Sequence, residues 1–167
     1  MFRCDYSKPL IDKSGNYRLQ NYALQEALNT LGFSAQTIWF NRYLSNKRHK
    51  QFQKQFRRLI SNPARYVIEK KRRRIFIDFS QEFIDETTTP LYLDDNLDFL
   101  NDIYDYFVVG SDQVWNPSLN RVSPMFFLDF AKKNKRIAYA PSFGISEIAS
   151  DVSSKYEKWI NDIAHLS

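Results

Sequence analysis

Apolar positions along the chain follow two periods, and the switches between them outline an alternating α/β protein. Tyr22, Ala23, Leu24, Ala27, Leu28 and Leu31 recur at three- and four-residue spacing, and Gly32 stands where a glycine ends a helix. The spacing predicts a helix opening from the polar residues 15–21, with Asn16 or Asn21 as its cap. Residues 33–40 (FSAQTIWF) follow as a strand with Ile38, Trp39 and Phe40 at its end. Phe52, Phe56, Leu59 and Ile60 make one stripe, predicting an amphipathic helix over 46–61 with a basic back. Asn62-Pro63 interrupts it, and a second helix is predicted over 63–83 with Tyr66, Val67, Lys70, Arg73, Arg74 and Ile77 in its repeat. Residues 87–93 read as a short edge strand interrupted by Pro90, and 96–102 as a short helix capped by Asp94 or Asp95. Phe107, Val108 and Val109 form a buried strand that Gly110 stops. A strand over 137–140, a helix over 147–159 and a strand within 161–167 complete the series. Residues 1–14 are weakly patterned, and Phe2 to Cys4 is too short for the apolar strand that should open a doubly wound domain.

Strands alternating with helices imply a Rossmann-like domain with a parallel sheet, and such sheets bind ligands beyond the carboxyl ends of their strands. At that place Ser111, Asp112, Gln113, Trp115 and Asn116 gather a hydroxyl, a carboxylate, two amides and an indole within six residues. A capped turn is the plain alternative: Ser111 or Asp112 caps, Trp115 packs and Pro117 ends the turn. The next strand delivers Pro141, Ser142, Phe143 and Gly144 to the same edge. The first helix contributes Asn16, Arg18 and Gln20 near its N-terminus, where free N–H groups and a guanidinium suit a phosphate or carboxylate. The alternative for Arg18 is a solvated loop arginine.

The run GSDQVWN after an apolar strand, followed by PMFFLDF and KRIAYAPSFG, resembles the polysaccharide pyruvyl transferase family. The segment GNYRLQNYALQEALNTLG resembles that family's first loop and helix, so the resemblance spans about residues 15–167. It implies the N-terminal half of a two-domain fold like that of GT-B glycosyltransferases. It also implies transfer of a pyruvyl group from phosphoenolpyruvate to a sugar of a cell-surface polysaccharide or its lipid-linked precursor. Relatives open with a clear first strand, from which residues 1–14 depart, and they continue into a second domain that supplies much of the donor site. That C-terminal domain is missing here, so the chain alone is expected to be an incomplete, inactive domain.

Composition narrows the setting. The chain has 167 residues, 43% of them hydrophobic and 16% aromatic, enough for one globular domain. Cys4 is the single cysteine, so no internal disulfide forms, and His49 and His165 stand apart, so no metal site is expected. No apolar run has the length of a signal peptide or membrane span, and a cytoplasmic protein is expected. The net charge of +5 conceals segregation: 42–74 holds 13 Lys and Arg against one acid, whereas 75–120 holds 10 acids and no Lys or Arg. The basic helical insertion at about 42–83 has three readings. It is a solvated helical hairpin, an attachment to the anionic inner leaflet through 42–74, or a nucleic-acid contact, the last disfavoured because no recognised module surrounds KKRRR.

The chemistry that the resemblance implies needs a proton for the vinyl carbon, removal of a proton from the sugar hydroxyl, and a clamp on phosphate and carboxylate. Asp112 is the one carboxylate of the signature and the candidate base; Arg18 is the candidate clamp. Gln113 and Asn116 offer amides suited to sugar hydroxyls, Ser111, Ser142 and Gly144 are further candidate substrate-binding residues, and Trp115 offers an apolar face to a sugar ring or a packing anchor. Phosphoenolpyruvate is the donor substrate and no cofactor is expected. A nucleotide-sugar glycosyltransferase domain and a truncated, non-catalytic interaction module remain the alternatives.

Overall fold

The computed structural model describes residues 16–41, 63–92, 95–119 and 122–167. The predicted helix over 46–61 and the weakly patterned residues 1–14 lie outside the described residues. In chain order the elements are α1 (Asn16–Thr30), β1 (Phe40–Asn41), α2 (Pro63–Phe83), β2 (Leu91–Tyr92), α3 (Leu100–Ile103), β3 (Phe107–Asp112), β4 (Arg136–Pro141), α4 (Ser150–Ile160) and β5 (His165–Leu166). The fold is mixed α/β, and its pairings are parallel as the alternation of elements requires.

Among the described residues the strands fall into two sheets rather than one. A three-stranded sheet has the order β3-β4-β5, and a two-stranded sheet pairs β1 with β2. Residues 33–40 are therefore mostly extended chain rather than a long strand. A bridge joins Thr37 to Glu86, and β1 begins only at Phe40. Residues 85–92 run alongside, with Thr87 N–H donating to the Thr37 carbonyl at 2.9 Å and Leu91 N–H to that of Trp39 at 2.9 Å. Pro90 has no N–H to lose, so pairing resumes at Leu91.

Side-chain alternation along β3 separates two apolar layers. Val108 packs with Ala35, Leu24, Leu28 and Ile137, so α1 covers that face of the sheet. Phe107 and Val109 point the other way, into the main core with Ala138, Phe127, Leu128 and Tyr156. The register aligns like with like, Val108 against Ile137 and Val109 against Ala138. Burying a side chain such as Phe107 contributes about 1.5–3 kcal/mol.

Two helical predictions need revision. Gly32 ends α1 with φ of 86°, as predicted, but Leu31 is exposed because the helix stops before that face meets the sheet. Helix α2 has the predicted bounds, and Val67 of its predicted repeat is exposed along with Ile68 and Ile75. The side that α2 turns inward carries Phe79 and Phe83 against Tyr22 of α1, at centroid distances of 5.5 and 6.0 Å. Asp95 does not cap α3; its carboxylate accepts the Tyr92 N–H at 2.7 Å, closing the turn after β2.

Buried polar side chains tie the layers together. Gln25 donates to the Ala35 and Asp85 carbonyls, each at 3.0 Å, and accepts the Asp85 N–H at 3.0 Å. Asn21 accepts the Thr37 hydroxyl at 3.1 Å, so it acts inside the helix packing and not as a cap. Asn101 donates to the Phe130 carbonyl at 2.9 Å and accepts the Lys132 N–H at 2.8 Å.

The basic turn before β4 is more than surface. Arg136 is buried, with Nε donating to the Ala131 carbonyl at 2.7 Å and Nη2 to that of Asp129 at 2.8 Å. Lys133 meets the Asp162 carboxylate at 2.6 Å, and Arg136 lies 4.0 Å from its other oxygen. The hydrogen bond from Lys133, with the charges of Lys133, Arg136 and Lys158, holds Asp162 below its ordinary value. A depressed carboxyl adds stability above its unfolded value and loses it as pH falls through the folded one. Asp162→Asn should therefore lower the melting temperature at neutral pH, with the difference closing as pH falls through the folded-state value.

Gly110 does not stop β3, which runs on to Asp112; lacking a side chain, it instead fixes how closely β3 and β4 can pair. It has φ of 134°, and a Cβ there would sit 1.8 Å from the Tyr139 carbonyl oxygen. Backbone atoms on a paired strand cannot yield to such a contact, so Gly110→Ala should cost roughly 3 kcal/mol or more. Chemical denaturation of the variant, or its failure to accumulate folded, checks this.

Candidate functional site

The loops after β3 and β4 meet at one sheet edge because the strands are parallel and in register: Gly110 pairs with Tyr139 and Asp112 with Pro141. Beyond the strands the two loops are joined directly. Trp115 N–H donates to the Ser142 carbonyl at 3.2 Å. Gly144 has φ of 64°, and a Cβ on it would fall 2.3 Å from Cδ of Gln113, so the Gln113 amide lies over the glycine. The glycine is needed there for its left-handed backbone and for the amide resting on it.

Trp115 holds this junction from below. It is 3% exposed, stacks on Phe127 at 4.8 Å and 11° between planes, and meets Phe143 at 5.7 Å. Its indole N–H donates to the Phe126 carbonyl at 3.0 Å, satisfying the one polar atom of the ring. Of the two roles open to Trp115, the structure therefore shows the packing anchor and not a sugar platform. The segment MFFLDF supplies that packing from a 3₁₀ turn (Pro124–Phe127) whose Met125, Phe126 and Phe127 are buried.

Asn116 is likewise turned inward. Its Nδ2 donates to Gln113 Oε1 at 2.9 Å and its Oδ1 accepts the Ser118 N–H at 2.9 Å. With both ends of the amide engaged, Asn116 shapes the loop and orients Gln113 instead of reaching towards a substrate.

At α1, Arg18 is turned towards α2. Its Nη1 donates to the Phe76 carbonyl at 3.3 Å and to the Ser80 hydroxyl, so it ties α1 to α2. Ser80, within a helix, is nearly sealed from solvent and hydrogen-bonds the Phe76 carbonyl at 2.8 Å, which gives Arg18 a paired acceptor. Gln20 Oε1 is buried and has no hydrogen-bond partner among the described residues. The side chains of Asn16, Ser111 and Asp112 lie outside the described part of the structure; the backbone of β3 places Ser111 and Asp112 at its carboxyl end.

Tyr156 is the residue near this edge that sequence reasoning passed over. It is buried beneath the SFG loop, with its ring 5.8 Å from Phe143, and its hydroxyl has no partner among the described residues. Burial pushes the phenol above its ordinary value, keeping it protonated. Together with Phe143, Ile148 and Ile160 it lines a cavity of about 330 Å³. In the sequence it stands only as one position of the helix predicted over 147–159. Among the described residues no group of three or more His, Cys, Asp or Glu is placed to hold a metal ion.

Parallel strands with polar loops joined at their carboxyl edge make this a mixed α/β domain, and in open parallel sheets that edge is where ligands bind. The sequence model of one family, polysaccharide pyruvyl transferase, matches residues 18–166. The chain belongs to that family. Comparison with curated proteins and with solved structures gave no match.

Gly144→Ala tests the junction without touching the strand pairing. The new methyl meets the end of a flexible side chain, so the main cost is the left-handed backbone, about 1 kcal/mol. A stability loss of that size in denaturant, far smaller than for Gly110→Ala, is expected; equal losses would show that the two glycines do the same work.

Proposed function

We propose that this domain forms the acceptor side of a pyruvyl transferase that moves the enolpyruvyl-derived group of phosphoenolpyruvate onto hydroxyls of a polysaccharide sugar or its lipid-linked precursor. The supporting observation is the union of the GSDQVWN and SFG loops at one strand edge in a chain of this family. In this reading Asp112, at the carboxyl end of β3, accepts the proton of the sugar hydroxyl as it adds to C2 of the donor. Gln113, held over Gly144 and hydrogen-bonded by Asn116, presents a fixed amide beside it. Ser111 and Ser142 complete the hydroxyl-binding edge.

The reaction balances without a redox step. A proton adds to the vinyl carbon, the sugar oxygen bonds to C2, and departure of phosphate with addition of a second hydroxyl closes the ketal. The vinyl-protonating acid and most of the anion clamp come, in this reading, from a second domain of the GT-B-like pair, because Arg18 is occupied against α2. The domain by itself is then inactive.

Phosphate release that depends on both phosphoenolpyruvate and a polysaccharide acceptor, measured on the two-domain protein, tests the assignment. Asp112→Asn should reduce kcat by roughly 100-fold or more, with little change in the folded state. Undiminished release would remove Asp112 from the mechanism, and release driven by a nucleotide sugar instead would replace the reading with glycosyl transfer.

A further inference from the structure

Helix α2 contains a second surface with its own chemistry, remote in sequence from the signature loops. Within residues 67–75 (VIEKKRRRI) there are five Lys and Arg and one acid. The apolar members of this run are not buried: Val67 and Ile68 are each 62% exposed and Ile75 is 58% exposed. At about 100° per residue, Val67, Lys71, Ile75 and Ile68 fall in one sector of the helix, with Arg74 and Arg72 at its margins. Lys71, Arg72 and Arg74 are exposed as well. The sector therefore mixes three branched aliphatic side chains with three cations over about 12 Å of helix.

An exposed helix sector usually carries polar residues, and a helix that covers a protein core turns its aliphatics inward. On α2 the inward work is done nearer its C-terminal end, a turn or more beyond this run: Phe79 and Phe83 pack on Tyr22, and Ser80 receives Arg18. Val67, Ile68 and Ile75 are left with cations around them. Asp78 and Glu82 lie further along the same side, and Asp78 stands 3.8 Å from Arg74 in an exposed pair of little energetic weight.

We propose that this sector of α2 seats on an anionic lipid surface, its aliphatics entering the headgroup boundary while Lys71, Arg72 and Arg74 meet lipid phosphates. Charge and apolar content together select this occupant. A nucleic acid would satisfy the cations but leave the aliphatics in water. A second copy of α2 would cover the aliphatics but oppose cation to cation. A lipid interface satisfies both sets, with long basic side chains lying at headgroup level. Among the described residues no helix is long and apolar enough to cross a membrane, so the contact is at the surface. The inference stands apart from the pyruvyl-transfer reading, and its test uses no enzymatic readout.

The experiment is flotation of the full chain with vesicles of phosphatidylcholine alone or with added phosphatidylglycerol. Binding is expected only to the anionic vesicles, with release at high salt. Replacing Lys71, Arg72 and Arg74 by Ser should weaken it by roughly 100-fold, about fivefold per charge. Replacing Val67, Ile68 and Ile75 by Ser should weaken it at least about tenfold, with the charges intact. Thermal melting of each variant must match the parent, which exposed positions allow. Absence of binding to anionic vesicles at low salt overturns the proposal, as does binding that the apolar triple substitution leaves unchanged. Without vesicle binding, a dimer abolished by the apolar substitutions assigns the sector to self-association. Retention of RNA that only the charge substitutions abolish assigns it to nucleic acid. Either result replaces the proposal.

Discussion

The close backbone approach of β3 and β4 at Gly110 is the constraint on which the strand edge depends. With no Cβ in the way, the Tyr139 carbonyl lies where another residue would place its side chain. That approach keeps the register intact to Asp112 and Pro141, and the register brings two loops distant in sequence to the same edge. Trp115 then converts proximity into a fixed junction, sealed below by Phe127 and Phe143 and joined to Ser142 by a backbone hydrogen bond. The polar edge thus rests on an aromatic floor, which limits how its loops can move relative to one another.

Apolar layering alone would not specify this arrangement, since aliphatic faces pack in many registers. Directional polar contacts narrow the choice. Gln25 reads the backbone at Ala35 and Asp85 together, Asn101 bridges the turns before β3 and before β4, and Arg136 collects the Ala131 and Asp129 carbonyls under the sheet. Each buried donor must be matched or it destabilises by about 1–3 kcal/mol, so such clamps penalise alternative packings more than they strengthen the native one. Gln20 Oε1 and the Tyr156 hydroxyl depart from that rule among the described residues. Both belong to elements flanking the loop edge, α1 and α4.

Charge is distributed by the same logic. The cations of the turn before β4 are consumed internally, by Asp162 and by backbone carbonyls. Lys71, Arg72 and Arg74 of α2 remain at the surface, beside the exposed aliphatics Val67, Ile68 and Ile75. Among the described residues Arg74 of α2 meets Asp78 in an exposed pair.

Local pattern determined a good deal by itself: the parallel α/β class, the bounds of α2, the glycine that ends α1, the apolar start of β3, and the motifs that identify the family. Helical and strand periods are properties of contiguous residues, and glycine and proline punctuate the backbone wherever they occur. Only the tertiary structure decided which polar residues are structural. Arg18 and Asn116 have the chemistry of ligand binders, but packing of α1 on α2 and the curl of the loop engage them within the protein. Arg136 belongs to a run of cations, and only β4 brings it under the turn at Asp129; Val67 shares a helical repeat with Tyr66 and Ile77, yet it is exposed. A side chain's partners are set by long-range contacts between segments 30 to 60 residues apart, as the Arg18 and Asn101 bonds are, and no window of local sequence contains them.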